Sequence, residues 1–254
     1  TGIAVSLTAL FCGMFVVGAG GLADTYGRVK LTNIGLWLHI VGSLLVIATS
    51  FVPLLLIGRA IQGLSAAAIM PATLAIVKTY YHGKDRQRAL SFWSIGSWGG
   101  SGLASIFGGV VTTFLGWKYI FIFSIIVALT ALFLIKGTPE TTAHQGNEKK
   151  RFDVIGVGLL VLIMLSINII ITQGSKMGWL SIFIICLICF CIMMAIVFYY
   201  FERKYTHPLI DFNLFNNRLY SVATLANFLL NTVAGTHIVA NTFVQQGLGF
   251  SAFK

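Results

Sequence analysis

One arginine lies inside an apolar run. The segment LLIGRAIQGLSAA, residues 55–67, holds Arg59 among leucine, isoleucine and alanine, and no other ionised side chain lies within a run of this kind away from its ends. A cation inside hydrocarbon costs several kcal/mol unless it is paired or hydrated. Gln62, Gly63 and Ala66 follow at i+3, i+4 and i+7, so one helix face is polar and small, as a water-lined cavity requires. Such a face favours a functional role for Arg59. The same arginine also fits a side chain snorkelling outward from shallow depth, since Pro53 is only about 9 Å away along the helix at roughly 1.5 Å per residue.

A second group stands at the end of the first apolar run, in GGLADTYGRVKL, residues 20–31. Gly20 and Gly21 allow close helix contact, Gly27 permits a tight turn, and Arg28 follows Asp24 by four residues. That spacing lets carboxylate and guanidinium pair at a membrane surface, as an ionic latch made and broken by moving helices. An ordinary polar loop with solvated charges would read the same way. Further along, Gly96, Gly100, Ala104, Gly108, Thr112 and Gly116 recur every four residues. On a continuous helix they make a groove that another backbone can approach closely. Asn227 and Asn231 share a face at i+4 and are either a candidate substrate path or interhelical glue, while His39, His237 and Asn241 are further polar residues among apolar ones.

Soluble chemistry is missing its usual signs. There is no phosphate-cradling loop of the Walker type, no HExxH and no GxSxG, so no enzyme activity is expected. Cys186 and Cys189 have CxxC spacing but no neighbouring residues to complete a metal site, and Cys12 and Cys191 also sit in apolar surroundings. Neither metal nor cofactor is expected.

The elements that position these residues are long and apolar. The chain is 57% hydrophobic and 9% charged, with a mean hydropathy of +0.90; a soluble domain carries roughly 25% charged residues. Runs long enough to cross about 30 Å of hydrocarbon are Ile3–Leu22, Leu31–Ser50, Pro53–Val77, Ala89–Leu115, Trp117–Lys136, Val154–Gln173, Trp179–Phe201 and Leu219–Val244. They are too continuously apolar for the alternating strands of a barrel. The fold class is therefore all-α integral membrane, with eight spans.

The net charge of +10 is a matter of topology. Every basic residue except Arg59, Lys118, Lys176 and Lys254 falls in alternate connections, and so do all seven acids. Those connections belong in the cytoplasm by the positive-inside rule, with some attraction to anionic lipid. No folded soluble surface remains for nucleic acid. Gly137–Asp153 and Glu202–Arg218 are longer, polar cytoplasmic linkers. The chain starts at Thr1 without an initiator Met and ends at Lys254 just after a run, so both ends are expected to be cut.

Together, GGLADTYGRVKL, LLIGRAIQGLSAA and Gly100–Val111 resemble motifs of the major facilitator superfamily. GWKYIF (116–121), PLIDFNLFNN (208–217) and FVQQGLGFS (243–251) resemble its fourteen-helix drug:proton antiporter branch. Departures stand at Thr25 and Val29, and at Ala104 and Ser105, where Gly-Pro is usual. The resemblance implies a major-facilitator bundle in which these spans are helices 2 to 9 of fourteen. Residues 1–136 would be an incomplete first bundle, 137–153 a linker, 154–201 a two-helix insert, 202–218 a second linker and 219–254 the first helix of the second bundle.

It further implies multidrug efflux by drug/proton exchange in the cell membrane, by a full-length monomer drawing on the proton gradient. Arg59 and Gln62 would couple protons, and Gly20, Asp24, Gly27 and Arg28 would latch the cytoplasmic gate. Gly96, Gly100, Ala104, Ser105, Gly108 and Gly109 would carry the antiporter-motif packing. No carboxylate lies within any of the eight runs, so a titrating acid would have to lie elsewhere. An uptake symporter and a non-transporting sensor or scaffold are the rival readings.

Overall fold

A computed structural model of the chain describes residues 2–49, 51–142, 152–205 and 208–242. Every regular element among them is helical: α1 Gly2–Tyr26, α2 Arg28–Ala48, α3 Val52–Tyr80, α4 Gly83–Ser94, a π-helical turn Ile95–Gly99, α5 Gly100–Phe114, α6 Lys118–Ile135, α7 Val154–Met177, α8 Ile182–Lys204, a 3-10 turn Phe212–Asn216 and α9 Arg218–Thr242. Among the described residues, six of these helices are long and apolar enough to cross a membrane. The π turn divides the fourth expected run into α4 and α5, and the run Leu219–Val244 extends past the described residues.

α1, α2, α3 and α6 pack into one bundle, and the antiparallel pair α7–α8 docks on α1 through α7. Lipid is as apolar as leucine, so helices in a membrane are held less by hydrophobic burial than by close packing and polar contacts. Glycine supplies the close packing here. An added Cβ at Gly42 would stand 2.8 Å from the carbonyl oxygen of Gly58, and one at Gly58 would stand 2.9 Å from that of Gly42. At Gly63 a Cβ would meet the carbonyl oxygen of Thr8 at 2.5 Å and Phe11 at 2.7 Å. α3 therefore lies backbone to backbone against both α2 and α1. Leu36, Ile40 and Ala128 fill the α2–α6 seam, with Ile69 and Leu132 against them. A second cluster, Leu160, Ile163 and Phe198, joins α7 to α8 and takes Leu209, Ile210 and Phe212 from the segment that follows.

The connections that the charge pattern assigns to the cytoplasm meet at one end. Arg28 N–H donates to the carbonyl of Thr141 at 3.0 Å, and the Tyr80 hydroxyl donates to the carbonyl of Pro139 at 2.7 Å. Phe152 and Leu209 lie against Gly21. This end, called inner below, joins the first loop, the end of α3 and both linkers.

Candidate functional site

The inner group forms first from local spacing. Arg28 Nε and Nη2 donate to Asp24 Oδ1 at 2.9 and 2.7 Å, and its Nη1 donates to Thr79 Oγ1 at the end of α3. The i+4 pair expected from the sequence is present, and Thr79 extends it to a third helix. Gly27 has φ +118°, a conformation that L side chains resist. A Cβ there would stand 2.5 Å from the carboxyl carbon of Glu140. Gly20 is under no such pressure, since its Cβ would meet Pro71 at an ordinary 3.6 Å.

Glu140 is a residue the sequence reading missed. Its Oε1 accepts from Val29 N–H and its Oε2 from Lys30 N–H, both at 2.8 Å. The linker after α6 thus caps the first turn of α2. The signal lay in the helix itself, which opens Arg-Val-Lys with no acid in its first turn. Cations at the positive end of a helix dipole call for an anion from elsewhere.

Deeper in the bundle, Arg59 stands in a polar chain across three helices. Its Nη1 lies 3.4 Å from Gln62 Oε1, and its guanidinium carbon is 4.8 Å from the centre of the Phe121 ring. Gln62, 6% exposed, donates through Nε2 to Ser43 Oγ at 2.9 Å. Ser43 and Ser124 hydroxyl oxygens lie 3.4 Å apart, and Ser124 donates to the Phe121 carbonyl at 2.8 Å. Ser43 on α2 and Ser124 on α6 were also missed, because small hydroxyls in apolar runs carry no periodic signal. Arg59 Nε is buried without a hydrogen-bond partner, and no acid pairs with Arg59 among the described residues. The guanidinium is held by an amide and a ring face rather than by a counter-ion.

Beside this chain, a cavity of about 410 Å³ lies between α2, α3, α5 and α6, lined by Leu36, His39, Ile69, Phe107, Phe123 and Ser124. Its volume and its mostly apolar wall with a few polar groups suit a small amphipathic molecule. His39 also borders a neighbouring cavity of about 310 Å³.

The small-residue stripe is placed differently from the expectation. The reading at intervals of four took residues 96–116 as one α-helix. The π turn at Ile95–Gly99 adds a residue to the turn and rotates Gly96 away from the face of Gly100. A Cβ at Gly96 or Gly100 would meet nothing within 4 Å, and one at Gly108 only Ile120 at 3.9 Å. Ala104 and Ser105 are exposed on α5, and Gly109 is half-buried. Among the described residues no helix seats on this face. On α9, Asn231 Nδ2 donates to Asn227 Oδ1 at 2.6 Å, and both residues are exposed. The side chains of His237 and Asn241, and the segment FVQQGLGFS, lie outside the described residues.

The Major Facilitator Superfamily model matches residues 1–241. The chain belongs to the major facilitator superfamily. It is a multi-pass membrane protein with the helical fold of that family. It is 63% identical over 252 residues to the quinolone resistance protein NorB of Staphylococcus aureus strains MRSA252, Newman and COL, covering 99% of this chain and 54% of each relative. The chain spans about half the length of the curated relatives it matches. In this bundle Arg59 and Gln62 form a partly buried polar contact, and Asp24, Arg28 and Glu140 lie together at the inner end.

Proposed function

We propose that this chain supplies helices 2 to 6 of the first bundle, a two-helix insert and the first helix of the second bundle of a secondary transporter that expels amphipathic drugs, quinolones or quaternary ammonium compounds among them, in exchange for protons. The observation that carries the reading is the partly buried chain Arg59–Gln62–Ser43–Ser124, a polar path inside an apolar bundle beside a cavity of drug size. Membership of the family and the printed name of the NorB relatives support the substrate class. Arg59 and Gln62 couple proton movement to the helices, and Asp24 and Arg28, clasped by Thr79, steady the cytoplasmic gate. The open face of α5 is offered to the second bundle as the rocking contact. The transporter works as a monomer in the cell membrane, driven by the proton gradient.

The test uses the full-length protein in proteoliposomes with an imposed proton gradient. Arg59→Ala lowers proton-driven drug flux by about tenfold, the equivalent of roughly 1.4 kcal/mol, while Arg59→Lys retains part of it. Flux equal to wild type in Arg59→Ala removes the role of Arg59. A second reading, uptake with protons, draws on Ala104 and Ser105, which stand in an unbroken stretch of α5. Drug moving down the same direction as the protons would establish it.

A further inference from the structure

At the inner ends of α7 and α8, two carboxyl groups are buried against each other. The sequence places Asp153 and Glu202 in cytoplasmic connections; they are 4% and 2% exposed. The reason is that each caps backbone while the chain folds over it. Asp153 Oδ1 accepts from Gly156 N–H at 2.8 Å at the start of α7. Glu202 Oε2 accepts from Ile210 N–H at 3.2 Å in the segment after α8. The other two oxygens, Asp153 Oδ2 and Glu202 Oε1, are buried and have no hydrogen-bond partner. They converge on one spot, lying 2.3 and 2.4 Å from where a Cβ on Gly156 would be. Glycine at 156 leaves the space in which the two acids face each other.

Among the described residues, no cation pairs with them. On α8, Arg203 donates to the Tyr199 hydroxyl and lies over its ring, and Lys204 is exposed. In the following segment, Tyr205 stacks on Phe201, and Asp211 accepts from Asn213 N–H at 3.0 Å. On α1, Asp24 is taken by Arg28 and Tyr26 is exposed. Arg151 and His207 lie outside the described residues. Two carboxylates sharing a buried site cannot both stay ionised, and two orphan acceptors in low dielectric are costly until a donor joins them.

We propose that Asp153 and Glu202 form a proton-binding site, in which one proton from the inner aqueous phase is shared between Asp153 Oδ2 and Glu202 Oε1. The proton turns two facing acceptors into a donor and an acceptor, and so closes the seam between the α7–α8 pair and the segment 208–212. Loss of the proton sets two negative charges face to face and pushes the seam apart. This site acts on the insert and its linker, and it stands whether or not the protein exchanges drug for protons.

Infrared spectra and thermal unfolding of the full-length protein, recorded across pH, test it. Wild type is expected to show the carbonyl stretch of a buried protonated carboxyl at neutral pH, and Asp153→Asn and Glu202→Gln each to lose it. Gln at 202 carries its own N–H donor for Asp153. The unfolding temperature of Glu202→Gln is therefore less dependent on pH, whereas wild type loses stability as pH rises from the ordinary carboxylate range until the shared proton is gone, because the folded wild type holds a proton that the unfolded chain releases. A band unchanged in both variants overturns the proposal. So does a wild type with no such band and no loss of stability as pH rises, which decides the matter even if neither variant folds.

Discussion

Two parts of this chain are rich in glycine at helical intervals, and they meet opposite surroundings. Gly42, Gly58 and Gly63 lie in seams where a Cβ would press on a neighbouring backbone at 2.5–2.9 Å. Gly96, Gly100 and Gly108 on the α4–α5 stretch face open space or a distant methyl group. The second set has the more regular spacing, yet the first does the packing. Regular spacing says that a helix presents a small face; it does not say that another helix has come to it. What draws helices together inside a membrane is the combination of small faces with polar contacts that must be satisfied. The α2–α3 seam has such a contact in Gln62–Ser43.

The comparison predicts its largest effect at Gly63. Gly63→Val places branched carbon where the Thr8 carbonyl and Phe11 already stand, so α1 and α3 must separate. Overpacking of this kind costs about 3 kcal/mol or more, and the helices carry little spare stability. The expected result is loss of the monodisperse, cooperatively unfolding species in detergent. A Gly63→Val protein that melts at the wild-type temperature would break the distinction between the two glycine sets.

A middle-sized effect lies at the inner end. Glu140→Gln keeps one amide acceptor for the first turn of α2 but removes the charge that faces Arg28, Lys30 and the helix dipole. Charged caps are worth about 1 kcal/mol, so the unfolding temperature falls modestly, and it falls less at high salt. A salt-independent loss would mean that the cap acts by shape alone. This residue sharpens the comparison, because α2 is fixed at one end by an anion and along its length by glycine, whereas α5 has neither.

How much of this could be read in advance follows from the range of each interaction. The apolar runs fixed the helices, because a stretch of about 20 apolar residues has few other fates. Asp24–Arg28, Arg59–Gln62 and Asn227–Asn231 came together as their i+3 and i+4 spacing foretold, since helix geometry alone decides such pairs. Glu140 meets Val29 across 111 residues of chain, and Asp153 meets Glu202 only because α7 and α8 pack antiparallel. No local pattern encodes either meeting. The π turn at Ile95–Gly99 was equally hidden, since it is a departure from the very periodicity used to read the stripe. A charged residue at the end of an apolar run carries no sign of its own burial, and the structure buries Asp153 and Glu202.

The smallest effect belongs to Gly100, and it cuts closest to the comparison. An alanine there meets nothing within 4 Å, and alanine is favoured over glycine inside a helix by roughly 0.5–1 kcal/mol. Gly100→Ala is therefore expected to leave the unfolding temperature of the full-length protein unchanged or slightly raised. If a helix of the second bundle rests permanently on this face, the added methyl group meets its backbone and the temperature drops instead. If the face is met only in passing, as a rocking contact would be, stability holds while drug flux slows. Measuring melting and flux on the same variant separates a seam from a sliding surface, which is the difference between the two glycine-rich regions stated in energetic terms.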